Sequence, residues 1–229
     1  MTASMVSWVN RDRDARGLIA FRSDARLNAV AAARAAKMAE TGTLSHSVAG
    51  NLGSQLTTAG VQWFRWGEDI AYSSASWGTQ VAWHVFGMWK KSPSHWPLLM
   101  SSSFNYIGVG FARQASTGRT YVAAVMTESV DHTRPSPVWV SSWRSGTTVS
   151  WSWRGYDPRL QTHTAGVRSF DIRYRVDNGP WRLNWIGSTA KSITLRNMPR
   201  GHCYSLRIQV ADWRGNLSRW SSERRICVP

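Results

Sequence analysis

The apolar pattern of this chain changes its period once, at the polar, proline-containing segment "DHTRPSP", residues 131–137. After it come seven short runs: "VWVSSW", "TTVSWSW", "SFDIRYRV", "WRLNWIG", "SITLRN", "CYSLRIQVAD" and "LSRWSSERRICV". Gly, Pro, Asn and Asp divide them, and two alternate cleanly, Phe170-Ile172-Tyr174-Val176 and Leu206-Ile208-Val210. Seven strand-like runs in about 90 residues are the pattern of an antiparallel sandwich. Before the segment the period is mixed. Residues 23–42 predict a helix, with Ser23 or Asp24 as cap, Leu27, Ala31, Ala35 and Met38 on one face, and Gly42 as terminator. Shorter helices are predicted over 6–16 and 75–91, then two strands over 104–112 and 118–127 joined by "RQASTG". The expected fold class is α+β: a mixed domain over 5–130, a linker over 131–137 and an all-β sandwich over 138–229.

A hydrophobic fraction of 42% supplies real cores and excludes a disordered chain. No run approaches the roughly 18 apolar residues of a membrane span. The first residues, "MTASMVSWVNRDRDARGL", carry no basic segment followed by an apolar one, so either the chain is made for the cytoplasm or a leader has been removed. Charge is uneven: residues 135–229 hold 15 Lys+Arg and 5 Asp+Glu, a net +10 out of the +15 of the whole chain. Arginines far outnumber lysines, which suits bidentate contacts with phosphate or carboxylate, although a GC-rich coding sequence gives the same excess. Arg173 and Arg175 alternate with apolar residues, so they share a face. Arg182, Arg207, Arg219, Arg224 and Arg225 extend it as a candidate surface for an anionic partner, with a solvated basic face as the alternative.

The two cysteines, Cys203 and Cys227, have their midpoint at Gly215 in the turn "WRGN". A hairpin about that turn sets them opposite each other, close enough to bridge. Two buried thiols are the other possibility. A bridge implies an oxidising compartment, and so an exported protein placed outside the cell or at its surface.

Residues 137–228 resemble a fibronectin type III domain, through "VSWSW", "FDIRYRVDNGPW" and "LRNMPRGHCYSLRIQVAD". Leu195, Gly201 and Tyr204 match that family's tyrosine corner. Residues 8–127 resemble the CAP superfamily (cysteine-rich secretory, antigen 5 and pathogenesis-related 1 proteins) in its compact bacterial form. Six pieces follow in order: "VNRDRDARGL", "LNAVAAARAAKMAETGTLSHS", "WGEDIAY", "WKKSPSHWPLLM", "FNYIGVGFA" and "TYVAAVMT". The resemblance implies an α-β-α sandwich with a cleft lined by two histidines and two acids. His46 and His95 match the histidines and Glu68 the first acid. These three offer an N/N/O set for Zn²⁺ or a similar divalent ion, or for a polar ligand without metal. The chain departs from the pattern in three places. No acid precedes the Ser-Pro turn, where Lys90 and Lys91 stand instead. Trp96 replaces an arginine after the second histidine. Alanines fill "YVAAV". A cleft so altered is expected to suit an apolar or lipid-like ligand.

Other groups carry less. His84, on the helix predicted over 75–91, could point toward the same cleft but reads more readily as a surface or core histidine. Asp69 is a poor stand-in for the missing acid, because sequence neighbours rarely aim together. Ser45 and Ser94 adjoin histidines without a G-x-S-x-G elbow, and no P-loop or Rossmann glycine pattern exists. The first function expected is therefore binding: a small or lipid-like ligand and/or a divalent metal in the cleft, with an anionic cell-envelope polymer, or less readily nucleic acid, on the basic sandwich. The second is a metal-dependent hydrolase of peptide or cell-wall material working through His46, Glu68 and His95. The third is a structural subunit of a surface assembly.

Overall fold

The computed structural model describes residues 1–160, 163 and 165–229. It forms two compact units, which divide between Val130 and Asp131; Leu160 and His163 group with the first.

In the first unit, helices α1 (Thr2–Asp14), α2 (Ala25–Thr41), α3 (Leu52–Thr58), α4 (Thr79–Lys91) and α5 (Trp96–Leu99) surround one sheet. Its strands are β1 (Arg22–Ser23), β2 (Trp63–Ser73), β3 (Tyr106–Arg113) and β4 (Thr120–Ser129), in the order β1-β3-β4-β2, so β2 is an edge. The sequence dictates α2 closely. The Asp24 carboxylate accepts the backbone N–H groups of Arg26 and Leu27, and Gly42 ends the helix at φ 69°. Its apolar face, with Leu27, Ala31 and Met38, packs with Leu56, Tyr106, Tyr121 and Ala123 on one side of the sheet. On the other side, Met5, Val9, Val85, Phe86 and Trp89 pack with Ile107, Val109 and Val122. Each large side chain so buried contributes about 1.5–3 kcal/mol. The glycines of "IGVG" allow α2 to lie directly on β3: a Cβ at Gly108 would stand 2.1 Å from the Leu27 carbonyl carbon, and one at Gly110 2.1 Å from Ala32 N. The result is the α-β-α sandwich.

Two differences from the sequence reading bear on function. Helix α4 starts at Thr79 rather than 75, and α1 spans Thr2–Asp14 rather than 6–16. More important, the eleven-residue strand β2 was not foreseen. From Gly67 to Ala71 both of its faces are buried, so no alternation shows.

The second unit contains all seven expected strands: β5 (Ser136–Ser145), β6 (Thr148–Tyr156), β7 (Val167–Val176), β8 (Arg182–Ser188), β9 (Ser192–Leu195), β10 (His202–Asp212) and β11 (Arg224–Val228). They form sheets β11-β10-β7-β8 and β5-β6-β9, the layers of a fibronectin type III-like sandwich. Strand β5 already begins within the expected linker. Trp151, Trp153, Phe170, Ile172, Leu206 and Ile208 fill the core. The Tyr204 hydroxyl donates to the Pro199 carbonyl at 3.0 Å, the tyrosine corner. Cys203 and Cys227 are directly opposed across β10 and β11 and form a disulfide.

Candidate functional site

A cleft of about 1020 Å³ opens in the first unit, beside edge strand β2. Three elements bring its histidines together. His46 lies on the loop between α2 and α3, His84 on α4, and His95 just before α5, held by the turn that "SPS" makes. Buried Arg13 fixes this last segment: its guanidinium donates to the carbonyls of Leu99 at 2.7 Å and Ser101 at 2.9 Å.

Each imidazole is anchored to the protein through Nδ1. His46 Nδ1 lies 2.8 Å from Glu68 Oε2. His84 Nδ1 lies 2.7 Å from Ser73 Oγ, which also accepts the Ala75 N–H at 3.0 Å. His95 Nδ1 lies 2.6 Å from Ser92 Oγ and 3.2 Å from Ser94 Oγ. With Nδ1 spent inward, Nε2 is the nitrogen left for a ligand. Burial, and then the nearby His46, hold the His95 pKa below its ordinary value, so this ring is neutral at neutral pH.

Glu68 is not available to a ligand. Its side chain is 3% exposed and paired with Arg34, itself 2% exposed. Arg34 Nη2 donates to Glu68 Oε2 at 2.9 Å and Arg34 Nε to Oε1. The same guanidinium reaches the carbonyls of His46 and Gly50 and the side chain of Gln55. Arg34 thus organises the whole loop that carries His46. The sequence offered a signal for it: an arginine on the apolar face of α2, between Ala31 and Met38, demands a buried partner.

This geometry does not assemble the N/N/O metal set. The ligand atoms of His46, Glu68 and His95 do not fall together within 4.8 Å; among the described residues only Asp131, Asp157 and Asp212, in the second unit, do so. In that trio, Asp131 and Asp212 are tied to turn backbone: Asp131 accepts from Thr133 N and Ala165 N, and Asp212 from Arg214 N and Asn216 N. The ligand atoms of His46, His84 and His95 do not fall together within 4.8 Å either, and the Glu68 carboxylate is taken by Arg34.

Several expectations change with the geometry. His84 belongs to the cleft, and the pairing with Ser73 that places it there depends on the unforeseen strand. Asp69 points away from Glu68, as the pleat requires, and is buried; desolvation and then the Glu68 charge push its pKa up to about 8. Trp96 and the alanines of "YVAAV" do not line the cleft. Trp96 packs edge-on against Phe86, and Ala123 and Ala124 are in the two cores. Nor do the lysines enter it, since Lys90 pairs with Asp12 of α1. The apolar lining comes instead from Leu44, Ile70, Ala71, Tyr72, Met88 and Trp89.

In the second unit, Arg173, Arg175 and Arg207 do share a face, but they are half-buried rather than solvated. Arg173 stacks on Trp220 at 4.1 Å, and Arg175 and Arg207 stack on Trp181 at 4.7 and 4.8 Å. Arg175 also pairs with Glu223 at 2.6 Å. Trp181 and Trp220 thus cover these arginines. Arg182, Arg219, Arg224 and Arg225 are exposed.

The family model for the cysteine-rich secretory protein family, CAP, matches residues 6–126, over half of the chain. The chain belongs to the CAP family. No curated protein matches it. Among solved structures, the CAP part is similar to an extracellular protein containing an SCP domain from Bacillus anthracis, at 21% identity over 55% of this chain and 39% of that one, TM-score 0.47. It is also similar to an outer surface protein of Borrelia burgdorferi, at 20% identity over 56% of this chain and 91% of that one, TM-score 0.48. The sandwich is similar to an Fn3-like protein from Clostridium thermocellum, at 18% identity over 42% of this chain and 96% of that one, TM-score 0.31. In this CAP domain, then, His46, His84 and His95 line one cleft. The expected first acid serves to orient one of them.

Proposed function

We propose that the CAP domain is a binding domain whose cleft takes a small uncharged ligand with both apolar and hydrogen-bonding groups. The observation that carries this reading is the lining. Serines and three histidines alternate with Leu44, Ile70, Tyr72, Met88 and Trp89, and no Asp, Glu, Lys or Arg takes part among the described residues. A charged ligand would lose its hydration without gaining a counter-charge. A ligand without polar groups would leave the three Nε2 atoms unpaired. The hydrolase reading loses its metal-bound water with the metal set. Ser73, the serine against His84, is no free nucleophile either, because it is buried and bonded.

The disulfide supports an oxidising, extracellular or cell-surface setting. Among the described residues no helix is long and apolar enough to cross a membrane. The net +10 of residues 135–229 supports attachment to an anionic envelope polymer through the exposed Arg182, Arg219, Arg224 and Arg225.

The test of the cleft is titration with octyl glucoside, dodecyl sulfate and dodecyltrimethylammonium below their micelle concentrations, followed by tryptophan fluorescence. The neutral amphiphile should bind saturably, and Met88→Lys, which puts a charge into the cleft, should weaken it at least tenfold. Equal effects of all three amphiphiles, or stoichiometric Zn²⁺ uptake lost in His46→Ala, would overturn the reading.

A further inference from the structure

The cleft does not end at His46. That residue and Ser47 also line a second cavity of about 590 Å³, which continues over Glu68 to Gly50, Asn51 and Trp66. Asn51 and Trp66 in turn line a third, of about 540 Å³, with Ser54, Thr57 and Trp63. All three are strung along β2: Ile70 to Ser73 in the first, Glu68 and Trp66 in the second, Trp66 and Trp63 in the third. At roughly 3.3 Å per residue, the ten steps from Trp63 to Ser73 give a groove about 30 Å long. That length fits an oligomer rather than a single small molecule.

The far end has a different chemistry from the cleft. Trp66 is 40% exposed although it sits on a strand. Trp63 is held beside it by donating its Nε1–H to Thr57 Oγ1 at 3.2 Å. The two indoles meet at Gly53, where a Cβ would stand 3.1 Å from Trp66 Nε1 and 3.4 Å from Trp63 Cζ2. The absent side chain lets both indoles pack against the Gly53 backbone. Around it stand only short neutral donors and acceptors: Asn51, Ser54, Thr57 and Thr58. The charges along the groove, Arg34 and Glu68, neutralise each other in the interior.

We infer that this groove binds an extended, uncharged glycan chain, with one end in the three-histidine cleft and further sugar units over Trp63 and Trp66. A sugar ring has an apolar C–H face for an indole and a rim of hydroxyls for amides, hydroxyls and imidazole Nε2 atoms. That combination matches the lining from end to end. A polyanion or polycation finds no counter-charge there. A hydrocarbon chain would cover the Asn51 amide N–H groups and the imidazole Nε2 atoms without giving them partners. The inference rests on the reading of the cleft as a site for an uncharged ligand and assigns the ligand's class.

The test is calorimetric titration of the full chain with two series, N-acetylglucosamine oligomers and cello-oligomers, from two to six units. A neutral Gly/Ser-rich peptide of similar length serves as control. Affinity should rise at least tenfold from the dimer to the hexamer in one of the series, and the series that responds identifies the N-acetylated or the plain sugar. Trp66→Ala should return the hexamer to the dimer's affinity, and Trp66→Phe should keep most of the gain. No dependence on length in either series, an unchanged hexamer affinity in Trp66→Ala, or tighter binding of the peptide than of both hexamers overturns the inference. If octyl glucoside still binds the cleft in that case, only the glycan assignment has failed; if it does not, the reading of the cleft has failed as well.

Discussion

Replacing Glu68 by Gln keeps the shape of the side chain and removes its charge. Arg34 stays where it is, 2% exposed, with its carboxylate gone. Removing one partner of a buried pair costs about 3–5 kcal/mol, because the other charge is left without compensation. Three contacts of Arg34 survive, to the His46 and Gly50 carbonyls and to Gln55, and the new amide oxygen can still accept one bond. The loss therefore belongs at the lower end, about 3 kcal/mol. For a unit of this size, with a guanidinium m-value near 4 kcal/mol/M, that moves the midpoint down by about 0.8 M. The assay is equilibrium unfolding in guanidinium chloride. The sandwich has its own core, and its transition should stay in place as an internal reference. Arg34→Met should cost a similar amount. The double variant Arg34→Met/Glu68→Gln should cost less than the two singles together by about 2 kcal/mol or more, since it leaves no unpaired charge. A shift below about 0.2 M in Glu68→Gln, or strict additivity in the double variant, refutes the account of Glu68 as a structural counter-ion that orients His46. It would return the carboxylate to the list of ligand-binding groups.

Asp69 holds its proton in the folded state up to about pH 8, against an ordinary value of 3.8. Its contribution to stability is therefore complete below about pH 4 and is lost progressively as pH rises through 8. Asp69→Asn should flatten that decline in a series of thermal melts from about pH 4 to 9, and an unchanged slope would show that the group is charged at neutral pH. On the sandwich, Arg182→Ser with Arg225→Ser should weaken binding to inorganic polyphosphate several-fold and lower its salt dependence. Arg175→Ser should instead destabilise the unit, because it removes the ion-pair partner of Glu223 and one of the two guanidiniums stacked on Trp181; polyphosphate binding that depends on Arg175 and not on Arg182 would reverse these roles.

What was legible in the sequence was whatever depends on local pattern. Helix α2 has its cap, its apolar face and its αL glycine within one stretch of chain, and the seven strands of the sandwich each alternate or end at turn residues. The cysteine pairing followed from one turn. Strand β2 was hidden because burial on both faces erases the period-two signal, and most of the site depends on that strand. Along it, Glu68 is aimed at Arg34, Ser73 at His84, and Trp66 at Gly53. A reader of sequence sees two histidines and an acid in the right order and assigns all three to a ligand. The fold adds an arginine from the helix opposite, which takes the acid for itself. The same substitution of partners occurs in the sandwich, where Trp181 and Trp220 cover arginines that alternation alone would leave in solvent. In both units the sequence shows which residues carry charge, and only the packing shows which of those charges are already spent. The groups left for a ligand are three imidazole Nε2 atoms, the Asn51 amide N–H groups and an exposed indole. Together they support the proposed binding of hydroxyl-bearing, uncharged matter, because the chain has already paired the charges that a charged ligand would need.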